Sequence, residues 1–427
     1  MKDDDEGHHR HQQQPIIPAL DFKNLRVISA VGRGAKGVVF LTRNETSNEY
    51  LALKVISKDL IEQKTKADNN DGSEYKRVSF EQQVLRRFDH PLLPRLLGVL
   101  DTEKIVGYGI EYCPGGNLYS LRKKQTEKMF SDDIIRFYAA EIVLALEYLH
   151  SLGIVYRDLK PENIMIQENG HIMLVDFDLS TKLPPRTPRS SPSFNSTPSF
   201  DSVKTKKKKK KKLSRIIPLH RYFNSGISPD VSAPILVNSR RTESDSVEKS
   251  NSFVGTEEYV APEVVSGNGH DFGVDWWSLG VVLYEMLYGT TPFRGSNRKE
   301  TFYRILTKAP ELTGETTPLR DLIAKLLEKD PMQRIELEGI KGHDFFRGIE
   351  WDSVLWISRP PYIPENEIEG MKGINKIEVE SFVQGIFCEK NDGGEESKNN
   401  EENVSDKGVL VEELNQNPTQ SSNFFVF

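Results

Sequence analysis

Two short charged segments near the middle of the chain place the strictest limits on its architecture. The first reads Tyr-Arg-Asp-Leu-Lys-Pro-Glu-Asn at residues 156–163, and the second reads Leu-Val-Asp-Phe at residues 174–177. A chance match to the first pattern, with its asparagine at a fixed distance from its aspartate, is very rare. A long amphipathic helix is predicted directly before it, because apolar residues recur there at helical spacing. These residues are Ile135, Tyr138, Ile142, Leu146 and Leu149.

A glycine-rich pattern near the N-terminus indicates a phosphate-binding hairpin. Its residues fit G-x-G-x-x-G-x-V and are Val31, Gly32, Arg33, Gly34, Ala35, Lys36, Gly37, Val38 and Val39. Glycines let backbone N–H groups approach phosphate oxygens without an intervening Cβ. A dinucleotide-binding turn would lead into a helix, whereas an apolar strand follows here. A glycine-rich hairpin without a ligand is the alternative interpretation.

A lysine at the end of the next apolar strand, Lys54, is a candidate for neutralising nucleotide phosphates. A buried lysine in that role needs a carboxylate partner. Glu81 lies in a stretch with helical spacing at residues 75–88, and Glu74 is less favoured by register. A lysine that extends along the surface to solvent is the alternative.

Taken together, the two charged segments closely resemble the catalytic loop and the metal-binding loop of protein kinases. Phosphoryl transfer needs little covalent chemistry from the protein, so such a site positions groups and neutralises charge. The resemblance implies that Asp158 accepts the proton of the substrate hydroxyl and that Lys160 contacts the γ-phosphate of ATP. It implies that Asn163 and Asp176 hold Mg²⁺, which prefers hard oxygen ligands. The expected activity is that of a non-specific serine/threonine protein kinase.

The resemblance also implies an α+β, bilobal fold. A small lobe over about residues 22–113 would contain an antiparallel β-sheet and one helix, and a mainly helical large lobe would span about 114–346. The backbone of Glu111 and Cys113 would pair with the adenine edge at the hinge. We expect Cys113 to be a small apolar lining residue, with a redox sensor as the less favoured alternative. Glu263 is expected to pair with Arg334, and Asp275 to cap the catalytic loop.

Three further segments narrow the resemblance to the AGC serine/threonine kinases of plants. They are the Tyr-Arg-Asp of the first motif, Gly-Thr-Glu-Glu-Tyr at 255–259 and His-Asp-Phe-Phe at 343–346. An aspartate, Asp178, replaces the usual glycine after Asp176 and Phe177, and a long insertion follows it. Both features are typical of the AGC VIII group, and GRGAKGVVFL and RPPYIP are very similar to its oxidative-signal-inducible branch. The resemblance implies signalling after an oxidative burst or contact with pathogens. Asp178 leaves an ATP-binding pseudokinase scaffold as the alternative.

The resemblance implies a route of activation. Ser252 occupies the activation-loop phosphosite of the group, and a phosphate there could pair with Arg157. The chain ends in Phe-Phe-Val-Phe, so Phe424 and Phe427 form an F-x-x-F docking motif for an upstream phosphoinositide-dependent kinase. Arginines before the acceptor would be read by Glu162 and Glu285, while Asn117 replaces a third glutamate. Protein substrates that are basic around the phosphosite are therefore predicted.

The charge is distributed very unevenly along the chain. Residues 181–252 carry a net charge of +11 and include seven consecutive lysines from Lys206 to Lys212, so the remainder carries −17. This insertion, about 181–250, is predicted to be disordered. Three interpretations of its lysines remain open: they bind anionic lipid, they bind a nuclear import receptor, or they are simply solvated. Residues 1–20 are predicted to be disordered, and residues 347–427 to form a C-terminal tail whose acidic part, 365–427, is mostly disordered.

Several classes of protein are excluded or disfavoured by composition. A net charge of −6 argues against a uniformly basic nucleic-acid binder, and specific nucleic-acid binding is not expected. The chain has two cysteines far apart, which argues for a reducing compartment. It has no apolar run long enough for a transmembrane helix and no signal-peptide pattern at its start. We expect a monomer in the cytoplasm, with the nucleus and the inner face of the plasma membrane as further locations.

Overall fold

The fold is described here from a computed structural model. It describes residues 17–34, 37–67, 73–125, 127–183, 256–357, 360–364, 377–388 and 425–426. Within these residues a β-sheet lobe and a mainly helical lobe follow one another along the chain, so the predicted α+β class with its two lobes is confirmed. No helix in the described part of the chain is both long enough and apolar enough to cross a membrane.

The small lobe is built on one sheet with strand order β10-β1-β2-β3-β5-β4. Its strands are β1 (Leu25–Arg33), β2 (Gly37–Asn44), β3 (Tyr50–Ser57), β4 (Leu96–Asp101), β5 (Ile105–Glu111) and, from the end of the chain, β10 (Phe425–Val426). Neighbouring strands are antiparallel except for β10, which runs parallel to β1. Side chains alternate between the two faces, as the strand period requires. Val39, Ala52 and Lys54 thus share one face, and Val38, Leu53 and Val55 share the other.

Two helices, not the predicted single one, follow β3 in the small lobe. They are α1 (Lys58–Ala67) and α2 (Ser73–Leu85). The helical stretch that contains Glu81 was predictable from its spacing. Helix α1 was not, because it is short, strongly charged and without a clear apolar stripe. Ile61 of α1 nevertheless packs with Val78 of α2 and Ile56 of β3 in a small buried cluster. Tertiary packing therefore stabilises a helix that its own sequence specifies weakly.

The large lobe is mainly helical. Its helices are α3 (Leu118–Lys124), α4 (Asp132–Ser151), α5 (Pro262–Val265), α6 (Gly273–Tyr288), α7 (Arg298–Thr307), α8 (Pro318–Leu326) and α9 (Leu337–Lys341). Helix α4 carries the predicted apolar face, and all five of its predicted residues are buried. Helix α6 is apolar on nearly all sides and is buried from Val274 to Met286. These two helices form the centre of the lobe and flank the catalytic segment.

Two short antiparallel pairs carry the predicted catalytic and metal-binding segments. Strands β7 (Ile164–Ile166) and β8 (Ile172–Leu174) form a hairpin, and β6 (Ile154–Val155) pairs with β9 (Thr181–Lys182). Residues 156–163 therefore connect β6 to β7, and residues 175–180 connect β8 to β9. Since β9 is paired, regular structure continues into the first residues of the predicted insertion, whose positions 184–250 lie outside the described residues.

Both ends of the chain contain more structure than predicted. Leu20 donates a backbone hydrogen bond to Val99 of β4, so order begins within the stretch predicted to be disordered. Helix α10 (Val379–Cys388) lies within the tail that was predicted to be mostly disordered, and that prediction is wrong there. The acidic composition of the tail concealed the helix, since Val379, Phe382, Val383 and Ile386 recur at helical spacing within it.

Candidate active site

A three-membered ionic cluster joins the two lobes at the site. Lys54 Nζ of β3 donates to Glu81 Oε1 of α2 at 3.1 Å and to Asp176 Oδ1 at 2.9 Å. Burial alone would lower the pKa of Lys54, but the charges of Asp176 and Glu81 outweigh it and raise that pKa well above its ordinary value. The cluster therefore holds a protonated lysine at the inner end of a cleft, with α2 turned towards the site.

This cluster lies at the inner end of a cavity between the lobes. The cavity has about 780 Å³ of empty space when its open mouth is included, and it is lined mainly by apolar side chains with a few polar groups, as ligand pockets are. Of the predicted nucleotide-binding residues, Val31, Gly32, Val39, Lys54, Glu111 and Cys113 line it. The cavity is also lined by six residues that were not assigned to the nucleotide site from the sequence: Ala52, Tyr108, Ile110, Tyr112, Met165 and Val175. Ala52 could have been found from the two-residue period that places it beside Lys54; the residues of β5 and β7 come from elements whose pairing the sequence does not give.

Several other predicted nucleotide-binding residues do not line the cavity with their side chains. Val38 is fully buried on the opposite face of the sheet. Arg33 directs its guanidinium to the carbonyl oxygen of Ile386, at 3.5 Å. Gly34 and Gly37 are joined by a backbone hydrogen bond of 2.9 Å at the neck of the glycine-rich turn. Ala35 and Lys36, at its tip, lie outside the described residues.

Asp158 is held in place by three donors. Lys160 Nζ and Asn163 Nδ2 each donate to its Oδ2 at 2.9 Å, and Thr256 Oγ1 donates to its Oδ1 at 3.0 Å. Lys160 Nζ also donates to Thr256 Oγ1 at 3.2 Å. The kinase resemblance assigned Lys160 to the γ-phosphate and Asn163 to the metal, and it gave Thr256 no role. The result is a fixed and buried carboxylate.

The backbone of the catalytic segment is fixed from below by Asp275 of α6. Its carboxylate accepts hydrogen bonds from the backbone N–H groups of Tyr156 at 2.9 Å and Arg157 at 2.8 Å. His150 of α4 lies 2.8 Å from the same carboxylate. Arg157 has a φ of 68°, which is uncommon for a residue other than glycine. The capping carboxylate provides the fixed support that such a strained conformation requires.

The metal-loop segment has a similar arrangement. Asp176 has a φ of 63°, and the backbone N–H of Phe177 donates to Glu81 Oε1 at 3.1 Å. The ring of Phe177 is fully buried between Phe88 and Tyr156, with centroid distances of 4.8 and 5.2 Å. Phe177 thus anchors the loop, while the carboxylate of Asp176 points into the cleft.

Asp178, the residue that replaces glycine, takes part in this loop through its backbone. The backbone N–H of Asp178 hydrogen bonds to the carboxylate of Asp176. Burial alone would raise the pKa of Asp176, but the charge of Lys54 and these hydrogen bonds outweigh it and lower that pKa below its ordinary value. Asp176 is therefore an anion in the cleft, which is the state that a cation ligand needs.

The end of the activation segment is anchored in the large lobe. Arg334 donates to both oxygens of Glu263, at 2.7 and 2.9 Å, and both side chains are nearly completely buried. This is the predicted pair, in the bidentate geometry that a guanidinium forms with a carboxylate. Ser252, the predicted phosphosite, lies outside the described residues, as do Phe424 and Phe427.

Cys113 lines the cavity as a small apolar residue. Its Sγ lies 3.7 Å from Met173 Sδ, and burial raises the pKa of its thiol far above the ordinary range. A thiol kept protonated is a poor nucleophile. This favours the packing interpretation of Cys113 over a redox sensor.

Oxygen donors suitable for a divalent cation converge on the cleft. Asn163 and Asp176 both line the cavity and come from segments that are linked by a backbone hydrogen bond from Val175 to Asn163. Among the described residues no group of three or more His, Cys, Asp or Glu side chains forms a metal cage. Two protein oxygen ligands at an open cleft fit Mg²⁺, which is usually held by one or two carboxylates together with water and substrate phosphates.

The two glutamates predicted to read substrate arginines, Glu285 and Glu162, differ in their availability, and Asn117 stands where a third glutamate is usual. Both carboxylate oxygens of Glu285 are engaged, one by Arg122 at 2.6 Å and the other by the hydroxyl of Tyr259. Asn117 caps α3 by accepting from the backbone of Ser120 at 2.8 Å. Glu162 has a buried oxygen, Oε2, with no hydrogen-bond partner among the described residues.

Comparison with known proteins agrees with this geometry. The family model described as "Protein kinase domain" matches residues 25–209 and 238–346. The chain is 61% identical over 421 residues to "Serine/threonine-protein kinase OXI1" of Arabidopsis thaliana, covering 96% of this chain and 98% of that protein. It is 40% identical over 388 residues to "Serine/threonine-protein kinase UCN" of the same plant, covering 85% and 88%. It is also 38% identical over 348 residues to "Phototropin-2" of Oryza sativa subsp. japonica, covering 80% of this chain and 34% of that protein. The chain therefore belongs to the protein kinase family and is a serine/threonine kinase of the AGC group.

Proposed function

We propose that this kinase transfers the γ-phosphate of ATP to serine or threonine with Asp158 as the residue that orients the acceptor hydroxyl and accepts its proton. The observation that carries this proposal is the three-donor fixation of Asp158, one of whose donors, Asn163, lines the same cavity as Lys54 and Asp176. Lys160, which donates to Asp158, would neutralise the transferred phosphoryl group. Positioning and charge neutralisation of this kind account for most of the catalysis of phosphoryl transfer.

Protein kinases use ATP and a divalent cation, generally Mg²⁺. We assign the cation to Asn163 and Asp176, since both supply hard oxygen atoms to the same cavity. The bound cation would neutralise charge on the phosphates. Lys54 would contact the α- and β-phosphates while Glu81 keeps its ammonium group in place. Adenine would lie between Val39 and Met165 and pair with the backbone of Glu111 and Cys113.

The substrates are proposed to be proteins with an arginine before the acceptor residue. Burial raises the pKa of Glu162, and its unpartnered oxygen would gain a charge-assisted hydrogen bond from a guanidinium. Glu285 is a weaker candidate than its sequence position indicated, because Arg122 and Tyr259 already occupy it. With Asn117 committed to capping α3, we expect one dominant arginine and a reduced requirement for a second, more distant one.

Activation is proposed to require phosphorylation of Ser252 by a phosphoinositide-dependent kinase that docks on Phe424 and Phe427. Arg157 is the expected partner of the phosphate. Burial lowers its pKa to about 10, so its guanidinium stays charged at neutral pH. A phosphate would add about 1.5 to 2 negative charges and could order the activation segment against this cation.

We further propose that the protein is a monomer in the cytoplasm and the nucleus, with Lys206 to Lys212 as the segment that binds either an import receptor or anionic membrane. From the sequence resemblance we also propose domain limits of 22–346 for the kinase domain and 347–427 for the tail. A role in plant stress signalling, after oxidative burst or pathogen contact, rests on the sequence resemblance alone.

The test is phosphate transfer from ATP with Mg²⁺ to a serine peptide that carries an upstream arginine. Wild type should be active, whereas Asp158→Asn and Lys54→Arg should each lose on the order of 100-fold or more in kcat/KM. Glu162→Gln should reduce kcat/KM for the arginine peptide while preserving activity on a peptide that lacks it. Wild type that stays inactive after phosphorylation of Ser252 would support the ATP-binding scaffold instead, and Asp178→Gly would then test whether that aspartate is the cause.

A further inference from the structure

Helix α10 covers the face of the small-lobe sheet that lies opposite the nucleotide cavity. Val39, Ala52 and Lys54 line the cavity, whereas Val38 and Leu53, their neighbours along the strands, belong to the buried cluster that includes α10. The sheet is thus a single layer between the nucleotide site and this helix. Without α10 a broad apolar surface of β1, β2 and β3 would face solvent, which folded domains rarely tolerate.

The contact between α10 and the sheet is extensive and specific. Val379, Val383 and Ile386 are 3%, 0% and 2% exposed, as buried as the centre of the sheet. The ring of Phe382 meets Phe40 of β2 edge to face, at a centroid distance of 5.5 Å. Such aromatic pairs contribute beyond the area they bury. Helix α10 is therefore part of the hydrophobic core of the small lobe.

A polar contact fixes the start of the helix. Glu380 in its first turn accepts a hydrogen bond from Thr102 Oγ1 at 2.7 Å, at the turn between β4 and β5. Apolar packing is not directional, so this hydrogen bond helps to fix the register of the helix on the sheet.

The far end of α10 reaches the glycine-rich strand. The guanidinium of Arg33, at the end of β1, donates to the carbonyl oxygen of Ile386 at 3.5 Å. Strand β10 pairs with the same end of β1, with Phe425 opposite Gly32 and Val426 opposite Arg33. Two separate elements of the tail therefore meet the two residues that lead into the glycine-rich turn, and one of these residues, Gly32, lines the cavity.

We propose that α10 is a positioning element of the nucleotide site, which holds the glycine-rich hairpin at the height that ATP binding requires. The inference rests on the proposed binding of ATP in this cavity. The helix can affect the nucleotide site because side chains alternate between the two faces of β2. If contacts of α10 were lost, Val38 and Phe40 would shift towards the space left behind, and Val39 between them, which lines the cavity, would move with them. The helix lies beyond residue 346, where the family match ends, so it is an addition to the matched kinase domain.

The test uses the full-length chain with Phe382→Ala, and with Phe382→Leu as a milder change that keeps most of the apolar volume. We expect KM for ATP to rise about three- to tenfold in the alanine variant and less in the leucine variant, with kcat and the KM for the peptide within about twofold of wild type. Ser381→Ala is the matched control, because Ser381 lies on the exposed side of the same helix turn and should leave all three constants unchanged.

A change in KM for ATP with constant kcat separates positioning from simple destabilisation. An unchanged KM for ATP in a folded Phe382→Ala variant would overturn the inference. A fall in kcat together with a rise in both KM values, in proportion to a lower melting temperature, would show that α10 has a purely structural role. That result would also overturn the inference. Inactive wild type would instead count against the proposed function, so the two failures are distinguishable.

Discussion

The hydroxyl group of Thr256 connects the activation segment to the catalytic loop. It donates to Asp158 Oδ1 at 3.0 Å and accepts from Lys160 Nζ at 3.2 Å. One hydroxyl therefore restricts the rotation of the carboxylate and fixes the position of the lysine. Since Thr256 lies four residues after the proposed phosphosite Ser252, order in the activation segment and geometry at Asp158 are directly linked.

Thr256→Val should therefore lower kcat, because Asp158 and Lys160 both lose a fixed partner in a site where misplacement is costly. We expect a fall of roughly 10- to 100-fold in kcat with little change in KM for ATP. Thr256→Ser, which keeps the hydroxyl, is the matched control and should retain most of the activity. Steady-state kinetics on the arginine peptide measures both. Equal activity of the valine and serine variants would show that the hydroxyl bond has no catalytic role.

At the scale of residues, a sequence predicts side-chain proximity best where the residues are close together in the chain. Asp158, Lys160 and Asn163 lie within one short loop, so their spacing alone brings their side chains together. Thr256 is 98 positions away from Asp158, and only the folded activation segment makes them neighbours. Arg33 shows the reverse case, because it lies within a phosphate-binding pattern but its side chain is directed to the tail helix.

Among the elements, the tail contacts the hairpin of β7 and β8 through Ile357, Pro360 and Tyr362. Gly170 in that hairpin has a φ of +85°, and a Cβ there would lie 2.3 Å from the carbonyl oxygen of Tyr362. Next to it, the two ring nitrogens of His171 face two acceptors: the carboxylate of Glu141 on α4, and the carbonyl oxygen of Ile357 in the tail at 3.1 Å. A neutral ring has a single N–H, so the protonated ring satisfies both acceptors.

This arrangement predicts a stability that depends on pH. The bond to Glu141 outweighs burial and raises the pKa of His171 above its ordinary value. The stabilising contribution is therefore complete below the unfolded pKa of about 6.5 and is lost as the pH rises through the higher folded pKa. His171→Asn should cost about 1–3 kcal/mol at pH 6 and clearly less at pH 9.

Urea unfolding of wild type and His171→Asn at both pH values measures this difference. Glu141→Gln is the matched control, since it removes the carboxylate and should flatten the same pH dependence while leaving the imidazole in place. A difference between wild type and His171→Asn that is equal at pH 6 and pH 9 would contradict the role of protonation. The large apolar contacts of α4 and α6 do not titrate, so they cancel in the comparison.

Elements were predictable from sequence where periodicity and composition agree. Helix α4 has an apolar stripe within a neutral context, and its position was predicted correctly. Helix α10 has a similar stripe, but the net charge of −9 over residues 365–427 indicated a solvated tail. Average composition over a long window hides a ten-residue helix whose stability comes from packing on the sheet. Strand β10 pairs with β1 although the two are nearly 400 residues apart in the chain, and no local sequence pattern predicts such a pairing.

Considered as a whole, the molecule combines an acidic kinase chain with one strongly basic segment. The net charge of −6 is the sum of +11 within residues 181–252 and −17 elsewhere. Each lysine close to an anionic membrane contributes about 1 kcal/mol, and this attraction decays within a Debye length of about 10 Å at 0.1 M salt. On this arithmetic we predict that the seven lysines from Lys206 to Lys212 support a reversible, salt-sensitive association with anionic lipid.

We therefore expect the full-length chain to cosediment with phosphatidylserine-containing vesicles at 0.1 M salt and to be released at about 0.5 M, where the Debye length falls to roughly 4 Å. Replacing all seven lysines with glutamine should abolish binding, whereas replacing them with arginine keeps the charge and should preserve it.

Four Ser/Thr-Pro sites, at Thr187, Ser191, Thr197 and Ser228, surround the run. Each phosphate there would cancel nearly two positive charges, so glutamate at these four positions should weaken binding in the same direction as added salt. Equal binding of the glutamine and arginine variants, or binding to neutral vesicles, would contradict an electrostatic membrane contact. If the glutamine variant instead lost only its nuclear fraction in cells, the lysines would serve nuclear import.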